Sequence, residues 1–354
     1  MSRTEINGGG VPSAGPHARS EESLFVSAPQ FIKNGEGMDL RAALKEGIAR
    51  LRAAQVPSHT LAAELLLLHA LGRDRAWLYS HAETSLDPDV AEKYFVLVAR
   101  RASGEPTQYL TGKQEFWGLE FEVTPAVLIP RPETEHVVEV ALERLGARGI
   151  KIDLKTGAPS PQLRVADVGT GSGCLAVALA HELPHAEIFA TDISAAAIEV
   201  ARRNAARHAV ADRIHFVQTN LLDACLSEPL ITNRQSPITG HESRVTSHES
   251  RLFDLIVSNP PYVAHNEAST LPREVRDHEP ASALFGGPTG VAIYPSLIEQ
   301  ARALLRPPGI LVLELGYGTA DRVRAIFAAQ SGWSNVCITN DLAGIPRVLA
   351  AERV

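Results

Sequence analysis

Two loops in this chain carry residues whose types and spacing could do chemistry. The first is Asp167-Val168-Gly169-Thr170-Gly171-Ser172-Gly173, between an apolar run and a helical one. Alternate glycines let a backbone turn tightly and approach a ligand without Cβ interference. A dinucleotide fingerprint would need glycine or alanine where this chain has Cys174, which disfavours a nicotinamide oxidoreductase. Alone, such a turn is a weak signal, since many tight strand-to-helix turns bind nothing. The next apolar run ends on Asp192, whose two carboxylate oxygens can accept hydrogen bonds from both hydroxyls of a ribose. Asp192 could instead cap the following helix, but Ser194 is better placed for that. The second loop, Asn259-Pro260-Pro261-Tyr262, is the more specific. Its prolines stiffen the backbone and remove two N–H donors, leaving carbonyls and the Asn259 side chain as an acceptor cluster. Such a cluster suits an –NH₂ group on a planar carbon, and Tyr262 offers a flat wall.

Two other patterns carry less. His181-Glu182-Leu183-Pro184-His185 has the spelling of a zinc-protease motif, but that chemistry needs both histidines on one helical face. Pro184 breaks the helix between them, so no metal is expected. His-Glu-Ser-Arg occurs at 241–244 and again at 248–251, inside a polar tract that we read as a disordered insertion, 227–251.

Periodicity supplies the elements that position these loops. Residues 1–37 are polar and glycine-rich, a leader expected to be disordered. The only methionines are Met1 and Met38, and helical periodicity begins after the second, so Met38 is the expected natural start. Residues 38–105 predict a small helical domain, with a helix through Leu40, Leu44, Ile48 and Leu51, a second after Pro57-Ser58, a third over about 73–81 and a fourth opening at Asp87-Pro88. Its acidic and basic residues balance, which suits protein docking. Residues 106–132 form a linker holding a β-hairpin around Gly118. From 133 to 354 strands and helices alternate. Strands are expected at 163–168, 186–191, 213–218, 253–258 and 309–315, and helices near 174–183, 195–209, 290–306 and 319–329. This implies a mostly parallel, doubly wound α/β sheet. The tail, 333–340 and 346–353, predicts an antiparallel hairpin. A polar loop is expected at 155–162.

Composition bounds the function. The formal charge is −7, the hydrophobic fraction 45% and the charged fraction 21%. No apolar run reaches the roughly 18–20 residues that span a bilayer. Three scattered cysteines suit a reducing compartment. The acidic balance argues against affinity built on phosphate contacts.

Together these residues resemble class I S-adenosylmethionine-dependent methyltransferases, and within them the PrmC/HemK family that modifies a glutamine of peptide chain release factors. The resemblance also rests on Thr111 to Gly118, Leu128 to Glu135, Val275 to Pro280, Ala283-Leu284 and Gly286-Gly287. It spans about 38–354 apart from the insertion. It implies a seven-stranded sheet with an antiparallel last strand, 133–354 as the methyltransferase domain and 38–105 as a substrate-docking domain. It implies that Asp167, Val168, Gly169, Thr170 and Gly171 line the methionine part of S-adenosylmethionine, Asp192 its ribose and Leu221 the adenine edge. Asn259, Pro260, Pro261 and Tyr262 would hold the glutamine amide, with Asn259, Pro260 and Tyr262 catalytic and Asn259 also against the cofactor. The family often has an acidic residue followed by an aromatic one where this chain has Asn220-Leu221. The Ile129 to Glu133 loop would close over the cofactor. The implied product is N5-methylglutamine in the Gly-Gly-Gln motif of a bacterial release factor, supporting translation termination in the cytoplasm. A monomer with no nucleic-acid or membrane partner is expected. The same acceptor cluster would serve an adenine or guanine amino methyltransferase on DNA or RNA, but the charge balance disfavours it. A non-enzymatic S-adenosylmethionine sensor would have no use for the cluster.

Overall fold

The computed structural model describes residues 38–148, 163–227 and 252–354. The leader 1–37, the 155–162 loop and the polar tract from 228, with its repeated tetrapeptide, lie outside the described residues. The chain divides into two compact units between Ala99 and Arg100.

The first unit is helical. Helix α1, Leu40–Ala53, is capped by the Asp39 side chain, which accepts from the Ala42 N–H at 2.7 Å. Helix α2, His59–Leu71, stops at Gly72 in the left-handed conformation. Helix α3, Arg75–Ser80, is capped by Asp74 in the same way as α1. Helix α4, Pro88–Ala102, opens on a proline that lacks the donor a first turn cannot use, and it runs across the division between the units. Leu40, Leu51, Leu66, Leu67, Tyr94 and Val98 are buried in this unit.

The second unit begins with the short helix α5, Thr107–Thr111, and a hairpin of β1, Lys113–Phe116, and β2, Leu119–Glu122. Trp117 and Gly118 both take positive φ, 56° and 68°, as a two-residue hairpin turn needs. Helix α6, Glu135–Ala147, follows. Then come β3, Arg164–Val168; α7, Cys174–Glu182; β4, Glu187–Asp192; α8, Ala195–Arg207; β5, Ile214–Gln218; and α9, Asp223–Ser227. After the gap in the described residues come β6, Phe253–Ser258; α10, Arg273–His278; α11, Ala281–Leu284; α12, Tyr294–Leu304; β7, Leu305–Glu314; α13, Ala320–Ala328; β8, Trp333–Asn340; and β9, Pro346–Arg353.

The seven strands β3 to β9 lie in the order β5-β4-β3-β6-β7-β9-β8. The first five are parallel, and the last strand in sequence, β9, runs antiparallel between β7 and β8. Every residue of β3 is buried, because apolar cores cover both faces. One face packs under α6 and α7 through Val137, Ala141, Leu175 and Leu179. The other packs under α12 and α13 through Leu297, Ile298, Val323 and Phe327.

Two expectations need correction. Strand β7 starts at Leu305, not at 309, because pairing with β6 shifts between Leu305 and Ile310 and so passes the donor-less Pro307 and Pro308. Helix α12 is shorter than its apolar pattern, starting at Tyr294 rather than 290.

Among the described residues no helix is long and apolar enough to cross a membrane. The strand order reverses between β3 and β6, and a doubly wound sheet opens its ligand crevice beyond the strand ends at such a point. The glycine and proline loops leave those two strands.

Candidate active site

After β3 the chain turns through Gly169 and Gly171, with φ of 74° and 54°. A Cβ on either would meet nothing within 4 Å, so both positions face open space while keeping a backbone that other residues rarely adopt. Asp167 lies beneath this turn and is fully buried. Its Oδ2 accepts from the Thr170 hydroxyl at 2.6 Å and from the Ala176 N–H, in the first turn of α7, at 3.1 Å. Its Oδ1 is buried without a partner. Burial pushes the Asp167 carboxyl up to about 7, against the pull of those two hydrogen bonds.

Asp192 closes β4 beside the turn. Its Oδ2 accepts from the Gly171 N–H and its Oδ1 from the Ser194 N–H, both at 2.9 Å. Each oxygen keeps further acceptor capacity. Ser194 is the helix cap, its hydroxyl accepting from the Ala197 N–H at 3.2 Å. A cavity opens over the turn, walled by Gly169 to Ser172, Asp192, Thr219 to Leu221 and Asn259. Its opposite wall is the segment from Ala126 through Thr134. That segment is held by one buried carboxylate: Arg131 pairs with Glu279, and the Ile129 N–H donates to it at 3.4 Å. Burial raises the Glu279 pKa and the Arg131 guanidinium opposes the rise.

The proline loop leaves β6 alongside. The Ser258 hydroxyl donates to the Val168 carbonyl at 2.7 Å, tying the two strand ends together. The Asn259 Nδ2 donates to the Thr134 hydroxyl at 3.0 Å, which leaves Oδ1 as the free end of the amide. Tyr262 donates its phenol proton to Glu314 Oε1 at 3.2 Å. Glu314, the last residue of β7, is 1% exposed. Burial pushes its carboxyl up to about 7, while the hydrogen bond from Tyr262 and the charge of Arg347 pull it down; its Oε2 is buried without a partner. Gly290 holds the loop from outside: at φ 74° a Cβ there would sit 2.4 Å from the Tyr262 carbonyl oxygen. A second cavity adjoins the loop, walled by Tyr262, Leu271, Pro272, Val275 and Leu284. Asn259 and Arg131 line both cavities.

A glycine turn over a buried acid, a strand-end carboxylate and a pinned asparagine amide now stand around one crevice. The PrmC N-terminal domain family matches residues 42–112, and a methyltransferase domain family matches 159–331. A release factor glutamine methyltransferase from Koribacter versatilis is 42% identical, covering 89% of this chain and 99% of that protein. One from Moorella thermoacetica is 40% identical over the same shares, and one from Nitratidesulfovibrio vulgaris is 38% identical over 89% and 95%. The chain belongs to the release factor glutamine methyltransferase family. Its sheet is the class I methyltransferase fold expected from the sequence.

S-adenosylmethionine is the cofactor of this family, and the residues present fit it. The open glycine cradle leaves room where side chains would intrude, and the buried, unpartnered Asp167 Oδ1 leaves negative potential beneath a cationic ligand. Of the residues expected at the cofactor, Gly169, Thr170, Gly171, Asp192, Leu221 and Asn259 line the first cavity. Asp167 and Val168 lie under its floor, buried in β3. Pro261 lines the first cavity and Tyr262 the second, while Pro260 is buried between them in the loop. Helix α7 ends at Glu182, so His181 is helical and His185 is not. Glu182 instead receives the Trp117 indole N–H at 2.8 Å.

Sequence reasoning missed Glu314, and although Arg131, Thr134 and Glu279 lie in stretches that carried the resemblance, it assigned them no partners: Thr134 to Asn259 and Arg131 to Glu279. Glu314 had a usable signal, since β7 ends on an acid after an apolar run, as β4 does at Asp192. The Thr134 pairing had none.

Proposed function

We infer that this protein transfers a methyl group from S-adenosylmethionine to the side-chain amide nitrogen, N5, of the glutamine in the Gly-Gly-Gln motif of peptide chain release factors. Family membership supports this reading. The observation that carries the chemistry is the Asn259 to Thr134 hydrogen bond, which commits the amide nitrogen and leaves Oδ1 to accept. An amide nitrogen is a poor nucleophile because its lone pair is delocalised into the carbonyl. Asn259 Oδ1 and the Pro260 carbonyl accept one hydrogen bond each from the glutamine –NH₂. Held so, the nitrogen presents its lone pair and not its hydrogens to the methyl group. The same acceptors stabilise positive charge growing on the nitrogen. When bound, S-adenosylmethionine supplies an electrophilic methyl on a cationic sulfur. Positioning in the crevice can contribute about 7–11 kcal/mol to lowering the barrier. No base is needed before transfer: the new N–C bond would form as the methyl–sulfur bond breaks, leaving a neutral thioether, and the nitrogen then gives one proton to solvent.

Asp192 serves as the ribose acceptor, the glycine turn holds the methionine part, and Leu221 stands at the adenine edge. Residues 38–105 dock the folded release factor, and 106–132 link them to the catalytic domain. We place the reaction in the cytoplasm, in a monomer without nucleic-acid or membrane partners, in support of translation termination. Thiols at Cys174, Cys225 and Cys337 suit a reducing compartment. The test is labelled methyl transfer to four acceptors: whole factor, its glutamine-to-glutamate variant, a short loop peptide and duplex DNA. Whole factor should label well, the peptide poorly and the other two not at all. Label on DNA with none on the factor would overturn the reading.

A further inference from the structure

The acceptor cluster answers the two hydrogens of a glutamine –NH₂ but leaves the glutamine's carbonyl oxygen without a donor. With S-adenosylmethionine in the first cavity, the glutamine comes to Asn259 from the second, which Asn259 also lines. Among the described residues, the polar side chains lining that second cavity are Arg131, Asn259 and Tyr262. Asn259 turns its nitrogen to Thr134 at 3.0 Å. The Tyr262 hydroxyl is engaged with Glu314 at 3.2 Å. Pro260 and Pro261 have no N–H to offer. That leaves Arg131 as the side-chain donor. Its pairing with Glu279 runs from Nη2, and a guanidinium carries five N–H donors in a planar fork. The Glu279 side chain is 1% exposed and that of Arg131 30%, so the arginine reaches from a buried anchor to the cavity wall. The Ile129 N–H donates to the same anchor. Glu279 also offsets a positive charge that would otherwise stand near a cationic cofactor.

We propose that Arg131 is a substrate-binding residue that donates to the side-chain carbonyl oxygen of the acceptor glutamine, with Glu279 holding the guanidinium in place. This rests on the reading of Asn259 as the glutamine acceptor. The two ends of an amide are nearly the same size, and here both are read: Arg131 donates to the oxygen, and the proline loop accepts from the –NH₂. A hydrogen bond at the oxygen draws the nitrogen lone pair further into the carbonyl. Arg131 therefore contributes aim and selectivity and does not activate the nitrogen.

The experiment is a double-mutant cycle on binding of whole release factor to the full-length protein, with S-adenosylhomocysteine present so that nothing turns over. The factor carries its glutamine or a leucine in that place. Arg131→Met should weaken the glutamine factor about tenfold or more, the scale of one hydrogen bond to a charged group. The leucine factor offers no oxygen and should lose less than about twofold. Arg131→Met combined with Glu279→Leu leaves no unpaired buried charge and should show the same selective loss. It carries the comparison where Arg131→Met alone does not fold, as judged by melting temperature. Equal weakening of the two factors would show that Arg131 only holds the cavity wall, and weakening of neither would show no contact. Either result overturns the proposal. Labelled transfer by Asn259→Ala separates the two ideas. A wild-type rate there sinks the acceptor reading, whatever Arg131 shows. A lost rate there, with no selective loss at Arg131, overturns the Arg131 assignment alone.

Discussion

The glycine turn after β3 and the proline turn after β6 leave neighbouring strands of one sheet, and each sits on a fully buried carboxylate, Asp167 or Glu314. They use that carboxylate differently. Asp167 organises backbone: it takes the Thr170 hydroxyl and a helix N–H, and the turn above it exposes little but main chain. Glu314 takes a side chain, the Tyr262 phenol, in a loop whose Asn259 is held in turn by the Thr134 hydroxyl. A main-chain cradle suits a ligand that must be fitted along its length. A side-chain acceptor cluster suits one small group that must be aimed.

The comparison breaks most directly at the aimed group. Asn259→Ala should lower methyl transfer by about 10²–10³-fold, the cost of removing one preorganised hydrogen-bonding group in other active sites. Cofactor affinity, read by calorimetry, should barely change. Asp192→Ala should do the reverse, weakening S-adenosylmethionine binding by about 10–100-fold, because a hydrogen bond to a charged group is worth about 1.5–3 kcal/mol. Equal losses of affinity in the two variants would erase the division of roles.

Glycine contrasts sharpen it. Gly290→Ala places a Cβ 2.4 Å from the Tyr262 carbonyl at a φ of 74°, so it should destabilise the proline turn and lower both melting temperature and transfer. Gly118→Ala, in the open hairpin turn at φ 68°, meets no neighbour and should cost only backbone strain, about 1–2 kcal/mol. Similar melting temperatures for the two would show that the packing around Gly290 matters little.

The buried acids predict a pH signature. The Asp167 carboxyl is raised to about 7 in the folded protein, well above its ordinary value of 3.8. Below pH about 4 both folded and unfolded states hold the proton, and the group's stabilising contribution is fully present. From pH about 4 to about 7 only the unfolded chain gives it up, so stability falls as pH rises, then levels off. Asp167→Asn should lack this fall, so its melting temperature should gain on the wild type across that window. A constant difference between the two would show that Asp167 is already ionised when folded. The smallest effect is expected at the α8 cap, where Ser194→Ala should cost about 1 kcal/mol of stability and leave the transfer rate alone.

What the sequence made legible follows from the range of the interactions. Strand ends, the hairpin turn and the Ser194 cap depend on residues within a few positions, and their signals are local. Gly169, Gly171, Asp192 and Asn259 were visible because their chemistry is written in residue type and order. Thr134 was not, because it matters through Asn259, 125 residues away. The Arg131 pairing with Glu279 was hidden for the same reason, across 148 residues. Helix α6 was not among the expected helices, although Val137, Val138, Ala141 and Leu145 carry its buried face at helical spacing.

The most direct test of the divided roles is a single-turnover transfer rate to whole release factor, measured for Asp192→Ala and Asn259→Ala as S-adenosylmethionine is raised to saturation. The account predicts that Asp192→Ala climbs to near the wild-type rate, because its defect is occupancy, while Asn259→Ala stays slow at any concentration, because its defect is aim. Recovery of Asn259→Ala at high cofactor, or a slow plateau for Asp192→Ala, would contradict it.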